Sequence, residues 1–148
     1  MSWPAKLDDV ICIHSANGLG RLSGITPNDN TRYRICTLGE AVPFENGGQV
    51  VYHSGTSFAT PIAAAIAAIV LEFADNHGLD SVPQDFERFK SRLRTKDGMQ
   101  KVLQIGCVLK DQSTPTAFAF ITPWFFLNDD ILIRMAYIIT ALRQSSGY

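Results

Sequence analysis

The chain has 148 residues, with 13 basic and 14 acidic side chains for a net charge of -1, and is 46% apolar and 18% charged. This composition excludes disordered, collagenous and fibrous classes. Near-neutrality also excludes nucleic acid or an anionic membrane as the principal partner, since each demands a concentrated positive footprint. The length supports one sizeable core, not two independent domains.

In chain order, residues 1–9 carry Lys6, Asp8 and Asp9 where a secretory signal would place its apolar segment, so no signal peptide is expected. Residues 10–14 are branched and apolar, and the Asn17-Gly18 pair follows, which predicts a buried strand and a turn. Residues 21–30 read as loop. Short strands are predicted at 33–38 and 49–53, joined by a surface connection over 39–48 that contains Pro43 and Gly47-Gly48.

From Ile62 to Leu71 the sequence is apolar all round and rich in Ala, which predicts a buried central helix ending near Asn76, with Gly78 beyond it. The longest apolar stretch, 58–71 with Thr60 inside it, is 14 residues, short of the roughly 18 needed for a transmembrane segment. Residues 83–95 predict an amphipathic helix with Phe86, Phe89 and Leu93 inward. A second short helix is predicted over 99–105, with Met99, Val102 and Leu103 inward, and a final one to about Gln144 with Ile131, Met135, Ile138 and Leu142 inward, capped by Asn128 or Asp129. Between them, 110–116 is a turn region, and 117–127 is very apolar, with Trp124, Phe125 and Phe126 expected in the core. Cys12, Cys36 and Cys107 are three in number and far apart, which predicts buried thiols and not a disulfide framework or metal knuckle.

The chemically informative stretch is Ser54, Gly55, Thr56, Ser57, Phe58, Ala59, Thr60 and Pro61. A serine at a helix N-terminus sits in the field of N–H groups that have no helical acceptor, where negative charge on an attacked carbonyl is stabilised. Gly55 would let a substrate backbone come close, and Pro61 falls early enough for its missing N–H to cost little. Taken alone, the same residues also fit Ser57 as the N-cap of an ordinary helix.

Gly55, Thr56, Ser57, Ala59, Thr60 and Pro61 match, position by position, the nucleophile motif of the subtilisin-like serine peptidases (peptidase S8), which this segment resembles. Val10 to Ile13 is similar to the family strand ahead of that region, and Leu38-Gly39-Glu40-Ala41-Val42-Pro43 to its approach to the active-site wall. Gly98-Met99 and Pro123-Trp124 resemble tails of fungal relatives. The resemblance implies a partial subtilisin-like layered α/β fold: a mostly parallel sheet remnant, a buried nucleophile helix and a helical C-terminal tail. It divides the chain into the C-terminal part of a catalytic domain, 1–78, and a helix-rich extension, 79–148, packed on the same core.

It further implies a serine endopeptidase in which Ser57 attacks the peptide carbonyl to form an acyl-enzyme, acting on a protein or peptide substrate with no cofactor and no catalytic metal. The family's aspartate, histidine and oxyanion asparagine belong upstream of the part that residues 10–13 resemble, so this chain by itself is expected to be incomplete and inactive. His53 precedes Ser57 by four positions but, on a strand or turn, lacks a helical relation to it. His14 and His77 have structural explanations at a strand edge and a helix end, and Asp8 and Asp9 should face water.

Ser54, Ile62 and Ala65 depart from the family's usual asparagine, histidine and glycine. The alternative reading is a non-catalytic remnant or protein-interaction module, with self-association through exposed core surface. The basic window 88–101, diluted by Asp97, reads as a solvated helix face and not a nucleic-acid site.

Overall fold

The structure is a computed structural model and describes residues 7–25, 34–76, 85–105, 107–110 and 118–143. Contacts divide the chain into two compact units, 1–64 with 108–121, and 65–107 with 122–148.

The first unit is built on a four-stranded sheet of β1 (Ile13–Ala16), β2 (Arg34–Leu38), β5 (Cys107–Lys110) and β6 (Phe118–Ile121), in the order β1-β2-β6-β5. β1 and β2 run parallel with Ile13 beside Ile35 and Ala16 beside Leu38, and β2 and β6 run parallel with Ile35 beside Ala119. Ala16, Ile35, Cys36 and Ile121 are buried, as apolar strands covered on their faces should be. A separate hairpin pairs β3 (Val42–Asn46) with β4 (Gln49–His53), Phe44 opposite Val51 and Pro43 opposite Tyr52. Gly47 and Gly48 both take positive φ, 59° and 80°, the backbone that a two-residue hairpin loop requires.

Four expectations are corrected in this unit. β1 begins at Ile13, not Val10, and His14 is buried at 3% exposure instead of offering a polar tip at an edge; its Nε2 lies 3.9 Å from Cys12 Sγ. The connection over 39–48 contains a strand, because a hairpin edge strand tolerates a proline whose nitrogen faces away from its partner. The stretch expected as a helical tail supplies β5 and β6. Phe118–Ile121 is a short apolar run, and β6 lies between β2 and β5 in the sheet, with Ile121 buried and the other three residues half-buried.

α1 (Thr56–Asn76) is 21 residues long. Ala59, Ala63, Ile66, Val70, Phe73 and Ala74 are buried, but Ala64, Ala65, Ala68 and Ile69 are exposed. The helix is therefore covered on one face, where an apolar-all-round sequence predicts burial on every side. It is also longer than the 14-residue apolar stretch, and by length and composition alone it could cross a bilayer. A soluble protein's core helix meets the same criteria, so length and composition alone do not indicate a transmembrane segment.

In the second unit, α2 (Asp85–Leu93) buries Phe89 and Leu93, and α3 (Lys96–Ile105) buries Met99, Val102 and Leu103. Thr95 caps α3: its Oγ1 accepts the Gly98 N–H at 3.1 Å and donates to the Arg92 carbonyl at 2.7 Å. α4 (Ile131–Arg143) buries Met135, Ile138, Ala141 and Leu142, while Ile131 is only half-buried. Its cap is Asp130, whose Oδ1 accepts the Leu132 N–H at 2.8 Å; the expected cap Asn128 instead accepts the Asp130 N–H at 2.8 Å, two residues earlier. Pro123–Phe125 forms a single 3-10 turn in which Trp124 is 73% exposed, against its expected place in the core, whereas Phe126 is buried. The helix limits at Gly78 and Gln144, the residues His77 and Phe86, and the turn region at 111–116 lie outside the described residues or their described side chains.

Candidate active site around Ser57

Ser57 is the second residue of α1 and is exposed. The Gly55 carbonyl accepts the Phe58 N–H at 3.1 Å and the Ala59 N–H at 3.4 Å, so Gly55 stands at the N-cap. The N-cap reading of Ser57 is thereby removed: its hydroxyl lies inside the first turn and, among the described residues, accepts no backbone N–H. The first helical donor is Phe58, which leaves the N–H groups of Thr56 and Ser57 ahead of the helical ladder at its positive end. A Cβ at Gly55 would stand 3.0 Å from Ser57 Oγ, so this glycine keeps the space beside the hydroxyl open.

Pro61 lies within α1, six residues after Gly55. Its missing N–H is the one that would bond the Ser57 carbonyl, so the lost helical bond falls on the serine itself rather than on an unneeded first-turn donor. Thr60 turns its Oγ1 back to the Thr56 carbonyl at 2.9 Å.

Backbone bonds fix this turn against the strand ends. The Ala16 carbonyl accepts the Gly39 N–H at 2.9 Å and the Glu40 N–H at 3.2 Å, and the Gly39 carbonyl accepts the Gly55 N–H at 2.7 Å. A Cβ at Gly39 would come within 2.6 Å of Ser15 Oγ, 2.9 Å of Ala59 Cβ and 2.9 Å of the Gly55 carbonyl oxygen. The close approach requires glycine. Ser54 Oγ accepts the Ala41 N–H at 3.0 Å and so ties down a residue held at a positive φ of 53°. The positions of Gly39 and of the Ala41–Ser54 pair were not foreseen; a glycine directly after a predicted strand, facing a small-residue helix, is the signal for the first, and nothing in the sequence marks the second.

His53 ends β4, and its ring stacks on Phe58 at 5.6 Å with 8° between the planes, while Phe44 meets it edge-on at 6.0 Å. Among the described residues no hydrogen bond joins Ser57 Oγ to a histidine, and no group of three His, Cys, Asp or Glu could hold a metal. Asp8 and Asp9 are exposed, and His14 is in the sheet. Burial pushes the Cys36 thiol up to about 12, so it stays protonated and donates to the Ala119 carbonyl at 3.6 Å.

Residues 2–102 match the model of the subtilase family, Peptidase S8. The chain belongs to the subtilase family. The matched residues end within α3. No curated protein and no solved structure matches the chain. Parallel strands, an antiparallel hairpin and several helices make an α/β fold consistent with part of a subtilase domain.

Proposed function

We infer that Ser57 is the nucleophile of a subtilase-type serine endopeptidase site, attacking a peptide carbonyl with the start of α1 as its electrostatic support. The observation that carries this reading is the exposed hydroxyl in the first turn of α1, next to N–H groups that precede the helical ladder. The Ser57 N–H can donate to the oxygen that becomes negative as the tetrahedral intermediate forms. Ser57 Oγ gives its proton to a base as it bonds to the carbonyl carbon, and the base passes that proton to the departing amine; the base then deprotonates water, which attacks the ester carbon, and returns the proton to Ser57 Oγ as the acid leaves.

The base must come from outside the described residues. His53 is held between two aromatic rings and is not hydrogen-bonded to the serine. Substrate is a protein or peptide, as in the family, and the chemistry proposed needs no cofactor. Purified chain of residues 1–148 is expected to show no appreciable peptide hydrolysis; robust turnover that disappears in Ser57→Ala would overturn the need for an external base.

The exposed stripe of Ala64, Ala65, Ala68 and Ile69 on α1 supports a second reading, a protein-interaction module whose apolar face docks another polypeptide or a second copy. A monomeric chain that unfolds in one sharp cooperative transition would argue against it.

A further inference from the structure

Among the described residues no strand pairs with either outer edge of the hairpin of β3 and β4, and the two edges are of unequal character. Its two-residue Gly47-Gly48 loop makes Asn46 and Gln49 a hydrogen-bonded pair, and the alternation of an antiparallel ladder gives the same status to Phe44 with Val51 and Val42 with His53. The intervening residues turn their backbone groups outward. On β3 these are Pro43, which has no N–H, and Glu45, which carries a charge; together they blunt that edge. On β4 they are Val50 and Tyr52, 60% and 68% exposed, and Gln49–His53 contains no proline, lysine, arginine or carboxylate to guard it.

The geometry points to β4 of a second copy as the occupant of this edge, in an antiparallel pair whose two-fold axis passes between the two Val51 residues. That register sets Val50 opposite Tyr52 of the other copy, and Tyr52 opposite its Val50. Both are outward-facing positions, so each pair exchanges two N–H···O=C bonds. It also sets an aliphatic side chain against an aromatic one twice, Gln49 against His53 twice, and valine against valine at the axis, with no carboxylate or ammonium facing its like. The charge of the hairpin, Glu45, lies on β3 and moves to the outer strands of the combined sheet β3-β4-β4-β3. Pro43 and Glu45 then occupy both new edges and stop growth there, so the contact closes as a dimer and does not run on into a fibre.

A five-residue strand pair is a small interface, and the dimer is expected to be reversible and concentration-dependent. The proposal concerns the hairpin edge and does not depend on the role of Ser57.

Sedimentation of the full chain over a concentration series tests it, with far-UV circular dichroism to verify folding of every variant. Wild type should pass from monomer to dimer. Tyr52→Pro removes an outward N–H while sparing the hairpin's own ladder, and should remain monomeric at concentrations where wild type is dimeric; Glu45→Gln should dimerise like wild type. Val51→Lys and Val51→Glu place like charges at the axis and should each be monomeric alone, yet associate when mixed in equal amounts. Wild type that stays monomeric throughout, a folded Tyr52→Pro that dimerises unchanged, or mixed charge variants that fail to associate would each overturn the proposal.

Discussion

The Gly39 carbonyl accepts the Gly55 N–H at 2.7 Å, and this single bond fastens the end of the β2 strand to the residue that opens α1. The same glycine has backbone oxygen and the Ala59 methyl where a side chain would begin, so the turn carrying Ser57 is positioned by a contact that only glycine allows. Gly39→Ala should destabilise the protein by roughly 1–3 kcal/mol, the usual range for an overpacked core position. Urea denaturation measures it; a change within a few tenths of a kcal/mol would mean the strand end and helix are free to move apart.

A second glycine holds the corner between α2 and α3. A Cβ on Gly98 would run into the Arg92 carbonyl, which is already engaged by Thr95 Oγ1, and would stand 3.3 Å from a Leu142 methyl. Gly98→Ala is expected to lower stability by about 1–3 kcal/mol, although alanine is the better helix former. An increase in the midpoint of unfolding would contradict the packing described.

Asp130 caps α4 through its Oδ1, with the Ile133 N–H at 3.4 Å as a second, longer donor. Asp130→Ala should cost about 1 kcal/mol and Asp130→Asn much less, since the amide oxygen can accept the same bond. Asp129→Ala, at the position the sequence suggested, should have little effect. Equal losses at 129 and 130 would show that charge near the helix start, not the cap, is what matters.

Cys36 gives the protein an alkaline limit. Its thiol is raised from the ordinary 9.0 to about 12 by burial alone, so between those values the native state keeps a proton that the unfolded chain releases. The unfolded state then binds fewer protons, and stability must fall as pH rises through the window, by at most about 1.4 kcal/mol per pH unit. Below pH 9 the contribution is flat. Denaturation curves for wild type and Cys36→Ala should converge as pH rises above 9, and an unchanged gap between them would remove the effect.

Helical period carried the second unit into view before the structure did. Phe89 with Leu93, Met99 with Val102 and Leu103, and Met135 with Ile138 and Leu142 are inward as their spacing requires, because a helix facing a core on one side must repeat near 3.6 residues. α1 offered no such contrast. With apolar residues all round, its sequence could not say which face would be covered, and Ala64, Ala65 and Ala68 proved to be outside. β3 was hidden by Pro43 and the paired glycines, which signal a loop unless the proline's edge position is known. β6 was hidden because a short apolar run fits a buried strand and a buried helix equally.

At the candidate site the motif around Ser57 was legible from residue types, and the structure puts that serine, exposed, in the first turn of α1. The contacts that hold it were not. Gly39 and the Ser54–Ala41 bond depend on strands brought together from separate parts of the chain, and sequence spacing carries no information on that meeting.

Reaction with a fluorophosphonate, which esterifies only a serine whose proton is being removed, is the most direct measurement of the central reading. The chain should be inert by itself and should be labelled when expressed as the C-terminal part of a fusion with a subtilase segment supplying the aspartate, histidine and oxyanion asparagine. Peptide mapping should then find the adduct on Ser57 and none in Ser57→Ala. An adduct on a different residue, or labelling that survives Ser57→Ala, would contradict the account.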